Sequence, residues 1–151
     1  MRAFEISSDL AATPEQVWQR VVTPAGINDE LMPLMRMTMS RQLRGATIDQ
    51  LPLGQRVGRS WLLLFGLVPV DYDDLALAEV DPGRRFFEQS TMLTQSQWTH
   101  ERTVEAHDGG CRVTDRLSWQ GRTKVFEMLY GLAVPVLFRH RHRRLGRRFG
   151  G

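Results

Sequence analysis

The stretch WTHERTVEAHDGGCRVTDRLSW, Trp98 to Trp119, decides the fold. Asp108-Gly109 near its centre favours a two-residue type I′ turn, because both turn positions need positive φ. Closing a hairpin there sets Glu105 against Arg112, Glu101 against Arg116, Thr103 against Thr114 and Thr99 against Ser118. These are favourable cross-strand pairs for a wet face. The other face pairs Ala106 with Cys111, Val104 with Val113, His100 with Leu117 and Trp98 with Trp119. A one-residue slip would exchange the two faces, so the pairing fixes the register. One pair on the apolar face is charged: Arg102 opposite Asp115.

Upstream, Phe4 and Ile6 alternate with polar neighbours and predict a strand over 2–9. Thr13-Pro14-Glu15-Gln16 then combines an N-cap Thr, a first-turn Pro and a capping-box Gln. It predicts a short helix with Val17 and Val21 inward and Trp18 as a further inward candidate. Thr23-Pro24 repeats the start signal for a second short helix to about residue 31. Met35, Met37 and Met39 alternate with Arg36, Thr38 and Ser40, a strand with one soft apolar face. Residues 45–58 read as a loop with a helical turn at 48–51. The run 60–65 reads as a buried strand and 70–80 as a longer one, whose inward residues a single bulge would swap. Asp81-Pro82-Gly83 is a turn. Residues 86–93 form a further strand whose pattern does not fix its facing.

Downstream, a long helix starts near Lys124. Eleven of the 14 residues from Val125 to Phe138 are apolar, on nearly every side, which predicts a helix well covered by the rest of the protein. Pro135 deletes a backbone hydrogen bond and predicts a kink. Fourteen apolar-rich residues fall short of the roughly 20 that a membrane span needs. Beyond Phe138 the character turns to Arg and His.

The 151 residues suit one domain, 1–151, with ordinary globular composition: 42% hydrophobic and 25% charged. A single cysteine, Cys111, cannot form an internal disulfide, and the N-terminus has no apolar signal-peptide core, so a cytoplasmic protein is expected. The net charge of +3 is uneven. Residues 139–151 carry six arginines and no acid, leaving 14 basic against 17 acidic side chains, −3, in the body.

The order strand, two short helices, about six antiparallel strands and one long helix resembles the helix-grip fold of the START and birch-pollen-allergen-like superfamily, also labelled polyketide cyclase/dehydrase-like. Three stretches carry the resemblance: AATPEQVWQRVVTPAGIN, the hairpin quoted above, and VLFRHRHRRL. It implies an α+β fold in which a curved antiparallel sheet of about seven strands wraps a long C-terminal helix and encloses a cavity. It also implies a small hydrophobic ligand such as a lipid, polyketide or quinone. A minority of the superfamily are enzymes, and fold alone does not choose among these.

The candidate ligand-binding residues are Trp98, His100, Arg102, Asp115, Trp119, Tyr72, Met37, Leu129, Leu132, Ala133 and Val136. Arg102 and Asp115 are read as a polar anchor in the pocket or as a structural pair half in water near its mouth. His100, beside Asp115, is a candidate acid/base group, or an ordinary hydrogen-bonded core histidine. The aromatic residues and methionines supply apolar area to a pocket or to a plain core. Gly131 and Pro135 are read as room for the long helix to tilt and admit a ligand. The acidic run 71–74 reads as a solvated strand end. No metal-ligand spacing, phosphate-cradling loop or nucleophile elbow is present, and no cofactor is expected. The run 139–144 lacks interleaved aromatics, which argues against nucleic acid. It suits the negative end of a helix dipole, and leaves transient contact with an anionic membrane as the expectation for a lipid carrier. The leading reading is a carrier of a small apolar molecule with one polar end. The alternatives are a cyclase or dehydratase using His100, Arg102 and Asp115, and a protein-interaction module without ligand. The oligomeric state is not encoded in any pattern found.

Overall fold

A computed structural model describes residues 1–151. Strand β1 (Arg2–Leu10) leads into helices α1 (Pro14–Val21) and α2 (Pro24–Leu31). The sequence signals act as read. The Thr13 hydroxyl accepts from the Gln16 N–H at 3.2 Å, and the Gln16 side chain accepts from the Thr13 N–H at 3.0 Å. Thr23 caps α2 through the Gly26 N–H at 2.9 Å. Gly26 is required there, since a Cβ would lie 1.9 Å from the Arg20 carbonyl oxygen.

Strand β2 (Met35–Met37) is shorter than the methionine alternation implies and ends before Met39. The Asn28 side chain brackets its last residue, accepting from the Met37 N–H at 2.7 Å and donating to the Met37 carbonyl at 3.0 Å. After a 3₁₀ turn at Ile48–Gln50 come β3 (Arg56–Leu64), β4 (Val68–Asp81), β5 (Arg85–Met92), β6 (Gln95–His107) and β7 (Gly110–Gly121). Together they form one antiparallel sheet in the order β1-β7-β6-β5-β4-β3-β2, curled into a half-barrel. The β6–β7 register is the one derived above, from Trp98 opposite Trp119 to Ala106 opposite Cys111. Asp108 and Gly109 both have positive φ, 47° and 80°, as the turn requires.

The expectation that 60–65 is a buried strand is corrected. Trp61, Leu64 and Phe65 are exposed, because β3 lies next to the sheet's edge and is flanked by only the three residues of β2. Strand β5 turns Phe86, Glu88, Ser90 and Met92 inward.

Helix α3 (Lys124–Phe149) runs unbroken through Pro135 and packs on β1, β7 and α2. Its buried residues, Val134, Phe138, Arg141, His142 and Leu145, lie from its middle onward. In the first half Val125, Met128, Leu129, Leu132 and Val136 are exposed. The helix is therefore not covered on all sides. It grips the sheet at its C-terminal half and stands away from β3, β4 and β5 at the other. No helix is long and apolar enough to cross a membrane. Gly131 does not provide room for tilting: a Cβ there would lie 2.5 Å from the Arg2 guanidinium, so the glycine admits that side chain on the β1 side.

Candidate functional site

The gap between the first half of α3 and the sheet is a cavity of about 350 Å³. Twenty of its 26 lining residues are hydrophobic. Met37, Leu62, Leu75, Phe86 and Trp98 line the sheet side, Leu129, Ala133, Val134 and Phe138 the helix side, and Val21, Ile27 and Leu31 the end formed by the short helices. The mouth has apolar rims. Leu64 and Val70 of the β3–β4 hairpin and Phe126 and Leu129 of α3 both line the cavity and meet solvent.

Of the residues expected here, Trp98, His100, Met37, Leu129 and Ala133 line the cavity. The other six do not. Leu132 and Val136 point to solvent, because the helical period turns them away from Leu129 and Ala133. Tyr72 lies on the outer face of β4, edge-on to Trp61 and beneath the Arg59 guanidinium. Trp119 is packed behind Trp98, with ring centroids 6.3 Å apart, and donates to the Glu127 carbonyl at 3.2 Å. Arg102 and Asp115 are wholly buried.

Those last two form the centre of a closed ion cluster. Arg102 donates to Asp115 through Nε and Nη2, both at 2.8 Å, and to Glu30 of α2 through Nη1 and Nη2, at 2.9 and 2.8 Å. Arg141 of α3 adds a 3.0 Å bond to Glu30. The two oxygens of Asp115 also meet His100 Nε2 at 2.6 Å and His142 Nε2 at 2.7 Å, and His142 Nδ1 meets the Ser8 hydroxyl of β1 at 2.7 Å. Burial opposes ionisation of Asp115, but Arg102 and His100 outweigh it and hold its carboxyl well below the ordinary range. The same contest at Glu30, with Arg102 and Arg141 opposing burial, leaves its carboxyl lowered. The pair is thus neither half in water near the mouth nor a free anchor in the pocket. Four of the five N–H groups of Arg102 are already used, so it has little left to offer an enolate oxygen. His100 does face the cavity, between Phe86 and Phe138.

Two of the polar groups that reach the cavity belong to the run expected to be a solvated strand end. Asp71 and Asp73 are buried, not a solvated strand end. Asp71 Oδ1 accepts from the N–H groups of Tyr72, Leu93 and Thr94 at 2.8, 2.9 and 3.3 Å. Its Oδ2 accepts from the Thr94 and Tyr130 hydroxyls, so Asp71 ties α3 to the sheet. Burial and the Asp71 charge push the Tyr130 hydroxyl's pKa upward. Asp73 differs. Burial first, then the neighbouring Glu88 carboxyl, raises its pKa well above the usual carboxylate range. Glu88 accepts from the Ser90 hydroxyl at 2.7 Å, and Ser90 accepts from the Ala76 N–H at 3.0 Å. Asp73 Oδ1 has no hydrogen-bond partner, and neither does the buried Ser60 hydroxyl of β3, whose Cα is paired with that of Asp73. A signal existed in the sequence: Asp71 and Asp73 continue, at period two, the inward series of Leu75 and Leu77. No group of three or more His, Cys, Asp and Glu side chains converges to hold a metal ion.

A sheet curled round a long helix with an apolar cavity between them defines a helix-grip protein. The chain belongs to the family described as "Domain of unknown function (DUF8410)", whose model matches residues 8–149. Among solved structures it is similar to protein CV1439 from Chromobacterium violaceum, with 12% identity and a TM-score of 0.75 over 100% of this chain and 99% of that one. It is also similar to Ara h 8.0201, with 10% identity and a TM-score of 0.58 over 95% and 97% of the two chains. DynU16, from the dynemicin biosynthetic locus, matches with 14% identity and a TM-score of 0.60 over 98% of this chain but 48% of its own length. At these identities the likeness is one of fold. A search of the curated proteins finds no match.

Two predictions follow from the buried charges. Arg102→Met leaves Glu30 and Asp115 short of their main cation, and removing one partner of a buried pair costs about 3–5 kcal/mol. Urea unfolding is expected to show a loss of that size. The second concerns pH. Asp115 and Glu30 have lowered pKa values, so their contribution is complete above the ordinary carboxylate range and is lost as pH falls through and below it. Asp73 has a raised pKa, so it acts in the opposite sense: stability falls as pH rises from the ordinary carboxylate range through the raised value. Asp73→Asn is therefore expected to raise the unfolding midpoint at pH about 7 and to change it little at about 4, near the ordinary aspartate pKa.

Proposed function

We propose that this protein binds and carries a small hydrophobic molecule in the cavity between its sheet and α3, as a member of the START and birch-pollen-allergen-like superfamily. The observation that carries the reading is the cavity itself: a volume of about 350 Å³ with an apolar lining and an apolar-rimmed mouth. Ligand sites of this kind are concave, mostly apolar and furnished with a few polar groups that orient the guest. The fold likeness to Ara h 8.0201 and to a protein of a biosynthetic locus is compatible with such a role.

The cyclase alternative requires Arg102 at the reacting centre, and the closed ion cluster removes it from the cavity wall. The interaction-module alternative expected a filled interior, and the interior is not filled. Of the tail arginines, Arg141 and Arg144 are bonded to Glu30 and Asp29. Arg139, Arg143, Arg147 and Arg148 stay exposed, which keeps contact with an anionic membrane within the proposal.

The test is native mass spectrometry of the full chain, followed by titration with the fluorescent apolar probe N-phenylnaphthylamine. The expected result is saturable binding of one probe, with quenching or energy transfer involving Trp98. Ala133→Trp, which fills the mouth from an exposed position, is expected to weaken binding by about tenfold or more, equivalent to about 1.4 kcal/mol. Absence of saturable uptake, or uptake unaffected by Ala133→Trp, would reject the cavity as the site.

A further inference from the structure

The lining of the cavity is mostly apolar, and two carboxyls are among its few polar groups. Asp73 of β4 and Glu88 of β5 both line it, and both are buried. Glu88 takes the Ser90 hydroxyl, whereas Asp73 Oδ1 has no donor. Directly across the β3–β4 pairing, the Ser60 hydroxyl is also buried without a partner. Buried polar atoms are nearly always hydrogen-bonded, and each exception needs an explanation. Here a carboxylate oxygen and a hydroxyl on paired residues of adjacent strands lack partners, and Asp73, though not Ser60, lines a cavity large enough for an organic molecule.

The charged groups nearest Asp73 are acidic. From β4 the nearest further group is Asp71, and from β5 it is Glu88. From α3 come the Tyr130 hydroxyl, bonded to Asp71, and Arg141, bonded to Glu30. From β6 comes His100, bonded to Asp115. From β3 comes only Ser60. The cationic side chain in the lining is therefore already paired with acid elsewhere, and no base of the protein answers Asp73 and Glu88. Without a guest, the pair is relieved by keeping a proton, since two buried carboxyls at close range do not readily both ionise.

Resting on the carrier reading, we propose that the guest is an amphipathic amine, with its protonated amino group at Asp73 and Glu88 and its apolar body along the cavity. An ammonium supplies three donors and a compensating charge. An alcohol supplies a donor but no charge. A carboxylate supplies neither and adds a third negative group. The discrimination thus runs amine, then alcohol, then acid. Entry of the ammonium displaces the proton held by the carboxyl pair, so the balanced step is protonated pair plus ammonium giving the ion pair and one released proton.

The experiment displaces N-phenylnaphthylamine from the full-length protein with decylamine, decanol and decanoate at neutral pH. Decylamine is expected to compete at least about tenfold better than decanoate, each factor of ten being about 1.4 kcal/mol. Asp73→Asn is expected to remove most of that advantage over decanoate. Calorimetry in two buffers of different ionisation enthalpy provides an independent readout on the unaltered chain. Decylamine binding is expected to release a proton and decanol binding none, and decylamine affinity to increase with pH until the amine itself deprotonates, near the lysine-like value of about 10.4. Decanoate competing as well as decylamine, or decylamine binding without proton release, would overturn the amine assignment and leave the carrier reading intact. Failure of the probe to bind at all would overturn both.

Discussion

One buried side chain organises the molecule. The Arg102 guanidinium joins β6 to α2 through Glu30 and to β7 through Asp115, and Asp115 passes the connection to α3 through His142 and on to β1 through Ser8. A buried ion cluster adds little net stability, because desolvating its charges consumes most of what their attraction returns. Its effect is geometric. The guanidinium fork and both carboxylates are satisfied together only when these five elements stand as they do. The cluster thereby sets where the second half of α3 lies on the sheet.

The cavity follows from that placement. With Val134, Phe138, Arg141, His142 and Leu145 fixed against β1, β7 and α2, the first half of α3 extends over the inner face of β4 and β5 without filling it. It is held there by a few polar ties: the Tyr130 hydroxyl on Asp71, the Gln95 amide on the Phe126 carbonyl, and Trp119 on the Glu127 carbonyl. The helix is apolar on nearly every side because one side faces the cavity and another helps to form its rim. Leu64 and Val70 of the β3–β4 hairpin provide the opposite rim, next to the exposed Phe65, Leu67 and Val68 of the same hairpin. A contiguous exposed apolar patch of this kind usually marks a working surface.

Two groups of acids in one small domain have opposite fates. Asp115 and Glu30 meet arginines and are held ionised. Asp73 and Glu88 meet each other and the apolar wall, so that Asp73 is pushed toward its neutral form. The first group holds the fold together and the second gives the cavity its chemical character. Both are as buried as the apolar core, so burial alone does not distinguish them; the partners do.

Local signals determined much of the structure. Asp-Gly with its flanking cross-strand pairs fixed the β6–β7 register, including Arg102 opposite Asp115, because turn geometry and side-chain alternation are short-range constraints. The Thr-Pro caps placed α1 and α2 for the same reason. What the sequence could not show was which charges face inward. In β4 the alternation from Asp71 to Leu77 is unbroken and puts both aspartates on the face of Leu75 and Leu77, but their charge argues for the opposite face, and only the packed sheet decides between the two. Glu30, Arg141 and His142 lie on helices with ordinary surface-like patterns, and only the docking of α2 and α3 brings them to Arg102. The apolar run of α3 likewise promised a covered helix. Whether its first half packs on a core or roofs a cavity depends on the distance at which the ion cluster holds its second half, and that distance is a property of the assembled fold alone.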